Sequence, residues 1–495
     1  MISRKNNKKF YVTTAIDYVN GRPHVGHAFE KVIADTLARW NKLLGNKVWF
    51  LTGTDENAQK NAQAAKESKI SVQKFVDKNS QIFVELCEKL NINYSRFIRT
   101  TEEEHKKQAQ EIFKKVFEKG EIYKGKYEGN YCTGCESFIT EKELVNGKCP
   151  EHNKKPDWIS EDAYFFKLSK YKNKILKFVK KYIVPESRRN EIISRLENDE
   201  LKDLCVSRIN LDWGIDNPID DKFKIYVWFD ALINYITGDD GNWPADVHVI
   251  GKGINWFHSV IWPGILMSAG YELPKTLLVH GYLNLKGSKI SKSLRNTIDP
   301  INLAEKYSSD AVRYSLLRCS VFEDSDYSEE ILIERLNNEL ANKLGNLVSR
   351  VAGLAEKKGI EKTDNKLLNK LKLKKIEKLI ENYELDKALN EIFAFIDVCN
   401  EYVQNKKPWE TKALENQRFS GPQKAQYEKK LLEAKKVLYE LVDSIKAISI
   451  LLWPFIPDSC EKIAKDFKFE INFDNIKKPI AINKINKSEI LFKKV

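Results

Sequence analysis

No run of eighteen or more apolar residues occurs in this chain of 495 residues, so no segment is suited to crossing a membrane as a helix. The opening stretch, Met1 to Phe10, is basic and polar and lacks the apolar centre of a secretory signal. Cysteine is scarce and unevenly spread, with eight residues in all, which argues against a secreted disulfide scaffold and for a reducing cytoplasm. Internal repeats are lacking, and the lysine-rich stretches have the pattern of solvated helix faces rather than low-complexity tails. What is present is a globular balance of 42% hydrophobic and 31% charged residues. The length suits about two to four domains. Lysine and arginine outnumber the acids by 83 to 70, a net charge of +13. Such an excess suits a polyanionic partner, whose neutralised phosphates release counterions, or it reflects a lysine- and asparagine-rich bias. Charge alone does not separate the two.

Along the chain, β-branched and aromatic residues predict a strand over Lys9–Ile16, then a loop, a helix from about Gly26 to Leu44, and a second strand over Lys47–Leu51 ending in the turn TGTDEN. Strand, loop, helix, strand is the order of an open parallel sheet, which binds ligands at the carboxyl ends of its strands. Between Glu121 and Trp158 short strand-like pieces surround a cysteine cluster, the mark of an inserted subdomain. Helical pattern returns over Lys170–Leu204. Strand-like KIYVWF (224–229), VHVIG (247–251) and TLLVHGYL (276–283) then resume the sheet. From Ser328 onward the period is helical, with Leu340, Leu344, Leu347, Val351 and Leu354 forming one apolar stripe, so residues 330–470 read as a helix bundle.

Two short motifs carry chemistry. Pro23-His24-Val25-Gly26-His27 falls between strand and helix: Gly26 lets backbone approach a ligand, and two imidazoles at i and i+3 share a helix face. A helix N-terminus adds partial positive charge where phosphate can sit. About 265 residues downstream, Gly287-Ser288-Lys289-Ile290-Ser291-Lys292-Ser293 offers two lysines and three serines suited to a triphosphate. Either motif alone is weak, since histidines near a helix start and lysine–serine loops are common surface features. The cluster Cys132-x-x-Cys135, then Cys149-Pro-Glu-His152, presents three thiolates and an imidazole at a spacing suited to one tetrahedral, structural Zn2+ with no open position. A degenerate knuckle without metal is the alternative. Cys87, Cys205, Cys319, Cys399 and Cys460 lack partners in sequence and are expected in the core.

Taken together, PHVGH and KISKS resemble the two signatures of class I aminoacyl-tRNA synthetases, with a conservative change in each. The segments TTAIDYVNGRPHVGH, FLTGTDEN, YVWFDALINY, HVIGKG with WFH, and VHGYLNLKGSKISKS resemble the methionyl-tRNA synthetase family, in the right order and over residues 9–460. The resemblance implies an α/β fold: a Rossmann-type parallel-sheet catalytic domain in two halves (1–115 and 224–327), a connective insertion with a zinc knuckle and a helical part (116–223), an α-helical anticodon-binding bundle (328–470), and a C-terminal tail (471–495). It implies that Asp55 accepts hydrogen bonds from the methionine ammonium, while Ile16, Tyr18, Trp228, Tyr235, Ile254 and His258 wall the thioether site, as polarizable sulfur favours. His24, Gly26, His27, Ser291 and Lys292 would hold ATP, with His24, His27, Lys289, Lys292 and Arg208 acting at the reaction centre. Asn346 and Arg350, at i and i+4, together with Trp409 match the family's anticodon-reading positions, where a tryptophan stacks on an unpaired base and Asn or Arg reads base edges.

Two departures stand out. The family's GKD is Gly251-Lys252-Gly253 here, so a carboxylate expected near the ligand is missing, and Asp17 stands where proline or tyrosine is common. Asp17 is one candidate to replace it. The family's GTDEHG is GTDENA, with Asp55 retained.

The implied reaction uses Mg2+ and ATP to form methionyl-adenylate and pyrophosphate, then loads the 3′ end of initiator and elongator methionine tRNA, recognised by its CAU anticodon. Homocysteine lacks one methyl, which binding discriminates by only about 1–3 kcal/mol. With no large editing insertion in the sequence, the resemblance implies that homocysteinyl-adenylate is cyclised in the synthetic site. Leucine, isoleucine and valine enzymes carry an insertion for which there is no room, and the cysteine enzyme's zinc thiols do not flank the first motif. A non-catalytic tRNA-binding protein would not need His24, His27, Lys289 and Lys292. Because the bundle is soon followed by Val495, where some relatives carry a dimerising domain, a monomer is expected.

Overall fold

The computed structural model describes residues 7–135, 137–150, 153–209, 211–285, 287–289, 297–410, 422–482, 485 and 489–495. KFYVTT forms β1 (Lys9–Thr14), buried from Tyr11 onward, and β2 (Asp17–Tyr18) prolongs its pairing with β3 (Lys47–Asp55). Together with β4 (Arg96–Arg99), β5 (Ile183–Val184), β6 (Val247–Gly251) and β7 (Leu277–His280) they make a parallel sheet in the order β4–β3–β1–β6–β7–β5, with β2 beside β3. The chain order reverses between β1 and β6, which opens a crevice at their carboxyl ends.

Several elements differ from the sequence reading for physical reasons. β3 runs through the predicted TGTD turn because Thr52–Thr54 pair with Phe97–Arg99, and a Cβ on Gly53 would lie 2.0 Å from Ile98 O. Only Lys224 and Ile225 of KIYVWF are strand, within Phe223–Ile225, and Val227–Leu232 is a helix buried at every position. An apolar helix with no solvent face has no period to betray it. The helical run over 170–204 is two helices, Lys172–Tyr182 and Glu186–Asn198, separated by β5, which pairs with β7. TLLVHGYL breaks after His280, and Leu283–Leu285 joins a small sheet with Ser288–Lys289 and Ser325–Asp326.

The insertion is a four-stranded antiparallel sheet centred on the hairpin of Ile122–Cys132 and Asp157–Phe166. The C-terminal third is helical, with Leu340, Leu344, Leu347 and Val351 fully buried and Leu354 half-buried. The segment after 471 is no loose tail: Ile476, Ile480, Ile485 and Phe492 are buried, and the Phe473 ring meets Trp40 edge-on at 5.7 Å. Cys87, Cys205, Cys319, Cys399 and Cys460 are buried, as expected.

One buried hub ties the sheet to the bundle. Arg313, wholly inaccessible, donates to Leu90 O, Pro454 O and Phe455 O and pairs at 2.7 Å with Asp35. Asp35 lies on the helix Val25–Leu43 that follows PHVGH, so this helix is fixed to both halves of the molecule.

Candidate active site

His24 caps the helix Val25–Leu43. Its Nδ1 accepts the Gly26 N–H at 3.1 Å, while His27 Nδ1 accepts the His24 N–H at 3.0 Å. The rings lie 3.8 Å apart, tilted by 33°. With both Nδ1 atoms acting as acceptors, the proton of each neutral ring sits on Nε2, which makes Nε2 a donor. Gly26 has a local reason as well: a Cβ there would meet the His24 ring at 2.8 Å.

This cap opens on a cavity of about 370 Å³ at the carboxyl ends of β1, β3, β6 and β7. Of the predicted methionine-site residues, all seven line it: Ile16, Tyr18, Asp55, Trp228, Tyr235, Ile254 and His258, beside His24, Gly26 and His27. Asp55, almost fully buried, ends β3. Trp228 stacks on Phe257 at 3.7 Å and meets Tyr18 edge-on at 6.4 Å. His258 Nδ1 faces Ile254 O at 3.1 Å and therefore donates, leaving Nε2 to accept the Tyr235 hydroxyl at 2.8 Å. Burial pushes the His258 imidazole down to about 4, so the ring is neutral at neutral pH.

The two sequence departures resolve differently. Asp17 lines the cavity, but its carboxylate is engaged by the Lys31 ammonium from the signature helix. Burial, the largest single influence, would lower the Lys31 pKa; the Asp17 charge and hydrogen bond, together with nearby Cys87 and Glu30, outweigh it and the pKa is raised. A second carboxylate in the cavity belongs to Glu30, which sequence reasoning missed. Glu30 Oε2 accepts the Gly251 N–H at 3.1 Å and meets His280 Nε2 at 3.2 Å, in the same cavity. Its signal was present: a glutamate at i+3 from His27, on an otherwise apolar helix face. Lys60 was missed too. It lines the cavity, with Nζ 3.2 Å from the Tyr18 ring centroid.

Other predicted residues lie elsewhere. Arg208 is not among the residues lining the cavity; it is held in the insertion by Glu161 at 2.6 Å and by the Tyr131 ring at 4.2 Å. Lys289 pairs through its backbone with Asn284, while Ser291 and Lys292 lie outside the described residues. Cys132, Cys135 and Cys149 bring their sulfurs within 4.8 Å of one another, and Cys135 and Cys149 are 3.5 Å apart. That is too far for a disulfide and close to the spacing of about 3.8 Å that tetrahedral Zn–S bonds of about 2.3 Å imply. The thiols thus fit a zinc ion; His152, the expected fourth ligand, lies outside the described residues. In the bundle, Asn346 and Arg350 are exposed on the helix Asn346–Lys358, and the Arg350 guanidinium stands 5.9 Å from the half-buried Trp409 ring.

Comparison with known proteins decides the family. The family model for class I tRNA synthetases (M) matches residues 10–156 and 152–352, and that for the anticodon-binding domain of tRNA ligases matches 364–493. The methionine–tRNA ligase of Clostridium tetani is 39% identical over 99% of this chain and 79% of its own length. The chain belongs to the methionyl-tRNA synthetase family. The Thermotoga maritima member is 40% identical over 93% of this chain and 76% of its own. The Mycobacterium tuberculosis enzyme in complex with methionyl-adenylate superposes with a TM-score of 0.91 at 35% identity, covering 98% of this chain and 99% of that one. Its free form gives a TM-score of 0.83 at 33% identity, covering 99% and 98%. The sheet, insertion and bundle described above are thus those of a methionyl-tRNA synthetase.

Proposed function

We propose that this chain activates methionine with ATP, releasing pyrophosphate, and transfers the methionyl group from the adenylate to the 3′ end of methionine tRNA. The observation that carries the reading is the single cavity in which the capped imidazoles of PHVGH, the buried Asp55 and an aromatic wall meet at the sheet's switch point. Asp55 holds the methionine ammonium, and the wall of Ile16, Tyr18, Trp228, Tyr235, Ile254 and His258 takes the thioether. The methionine carboxylate oxygen attacks the α-phosphorus in line as the bond to the β-phosphate oxygen breaks. Catalysis here is positioning and charge stabilisation. The Nε2–H groups of His24 and His27 donate to the phosphate oxygens as charge builds. Lys289 and Lys292 take the pyrophosphate, with Mg2+ accompanying ATP as part of the substrate. In the second step a terminal ribose hydroxyl of tRNA attacks the activated carbonyl and AMP leaves.

Cys132, Cys135, Cys149 and His152 would hold one structural Zn2+, which braces the turn that carries them. Asn346, Arg350 and Trp409 read the CAU anticodon of initiator and elongator tRNA. The chain acts as a monomer in the cytoplasm; among the described residues no helix is long and apolar enough to cross a membrane. Product analysis with methionine, Mg-ATP and tRNA tests the reading. Methionyl-tRNA and AMP should form with a CAU anticodon and not with an altered one. Equal charging of both tRNAs would overturn the assignment of the anticodon residues, and no adenylate at all would overturn the catalytic one.

A further inference from the structure

The turn Cys132-Thr133-Gly134-Cys135 touches the cavity through its backbone. Trp228 Nε1 donates to Cys135 O at 3.3 Å, and Lys60 Nζ donates to Gly134 O at 3.3 Å. Lys60 in turn lies 3.2 Å from the Tyr18 ring centroid, and Tyr18 meets Trp228 edge-on at 6.4 Å. The contacts close a ring: Cys135, Trp228, Tyr18, Lys60, Gly134. Three of its members, Tyr18, Lys60 and Trp228, line the cavity.

We infer that the cysteine turn positions the methionine pocket, with Lys60 as the positioning residue, so that metal held by the thiols sets the affinity for methionine. This rests on the reading of the cavity as a methionine site. An indole N–H can only donate, and Trp228 is almost fully buried, so the place of Cys135 O fixes the rotation of the indole. The ammonium of Lys60 meets both a carbonyl that accepts a charge-assisted hydrogen bond and the face of Tyr18. Moving Gly134 O therefore moves the cation and with it the second wall of the pocket. The path of the turn depends on three sulfurs held within 4.8 Å of one another. Thiols are weak donors and acceptors, so metal coordination is what would keep them at that spacing. The Tyr235–His258 side of the pocket has hydrogen bonds of its own, between the two side chains and from His258 Nδ1 to Ile254 O. ATP contacts at the PHVGH cap are likewise held by the helix itself.

The test uses the full-length protein with zinc content measured, and reads equilibrium binding of radiolabelled methionine without ATP, alongside ATP affinity. Stripping the metal with a chelator should weaken methionine binding on the order of tenfold or more while leaving ATP affinity in place, and Zn2+ should restore it. Lys60→Met, at full zinc content, should also weaken methionine binding; stripping that variant should add less than it takes from the unaltered protein, because only the Trp228 contact is left to move, and Lys60→Arg should recover most of the loss. Unchanged methionine affinity in zinc-loaded Lys60→Met overturns the inference, even where the stripped protein unfolds. So does full multiplication of the two effects, which would mean that the turn and Lys60 act separately. If the untreated protein binds a different amino acid and not methionine, it is the function reading that fails.

Discussion

Replacing Lys31 by methionine keeps an unbranched side chain, one atom shorter, and removes its charge, which isolates what the pair with Asp17 does. The Lys31 side chain is wholly inaccessible and that of Asp17 is 10% exposed. Breaking a buried pair from one side leaves an uncompensated carboxylate and costs about 3–5 kcal/mol. At roughly 2–4 °C per kcal/mol for a unit of this size, the melting transition of the catalytic half should drop by about 6–20 °C. Removing both charges, in Asp17→Ala with Lys31→Met, should return most of that stability, since a neutral pair leaves nothing unpaired. The assay is thermal unfolding of the four proteins of the cycle, with KM for ATP and for methionine measured on each. Because Asp17 is engaged by Lys31, KM should follow stability and recover in the double variant. A double variant as unstable as Lys31→Met alone would refute the reasoning. A stable double variant with a lastingly raised KM for ATP would instead make Asp17 a direct substrate ligand. The pair also has a pH signature: the folded Lys31 pKa is raised, so its contribution is full below the unfolded value near 10.5 and is lost as pH rises through the folded one.

The remaining expectations concern the two recognition sites. Tyr235→Phe removes the donor to His258 Nε2 and leaves a buried acceptor unpaired, a cost of about 1–3 kcal/mol. KM for methionine should rise by one to two orders of magnitude with KM for ATP unmoved; an unchanged methionine KM would remove this hydrogen bond from the site. His258 sits at about 4 against an ordinary 6.5, so between those values the unfolded chain binds a proton that the folded chain does not. Stability should therefore fall by up to about 3 kcal/mol as pH drops through that window and level off below it, and His258→Gln should flatten the slope of urea stability against pH. Trp409→Ala should cut kcat/KM for tRNA charging by a stacking contribution of about 1–3 kcal/mol and spare ATP–pyrophosphate exchange; loss of both activities would give Trp409 a structural role.

Much of this was legible in the sequence where chemistry is local. β1 and β6 announce themselves through β-branched and aromatic runs, and the helix Val25–Leu43 lies within one residue of its expected limits. The seven residues expected to bind methionine come from well-separated segments, and they meet in one cavity because each sits in a motif recognised as a unit. What escaped was partnership across the fold. No local pattern says that Lys31 will meet Asp17, that Glu30 will accept the Gly251 N–H, or that Lys60 will bridge Tyr18 and the cysteine turn. The helix Val227–Leu232 escaped because complete burial erases the polar face that periodicity needs. Nor does the Arg208 segment say that its guanidinium will meet Glu161 within the insertion.

The central claim is that this cavity activates methionine. Pyrophosphate exchange into ATP, measured with each of the twenty amino acids in turn, addresses it most directly. The account predicts exchange with methionine far above that with any other amino acid. Exchange that depends on a different amino acid, or none with methionine, would contradict it.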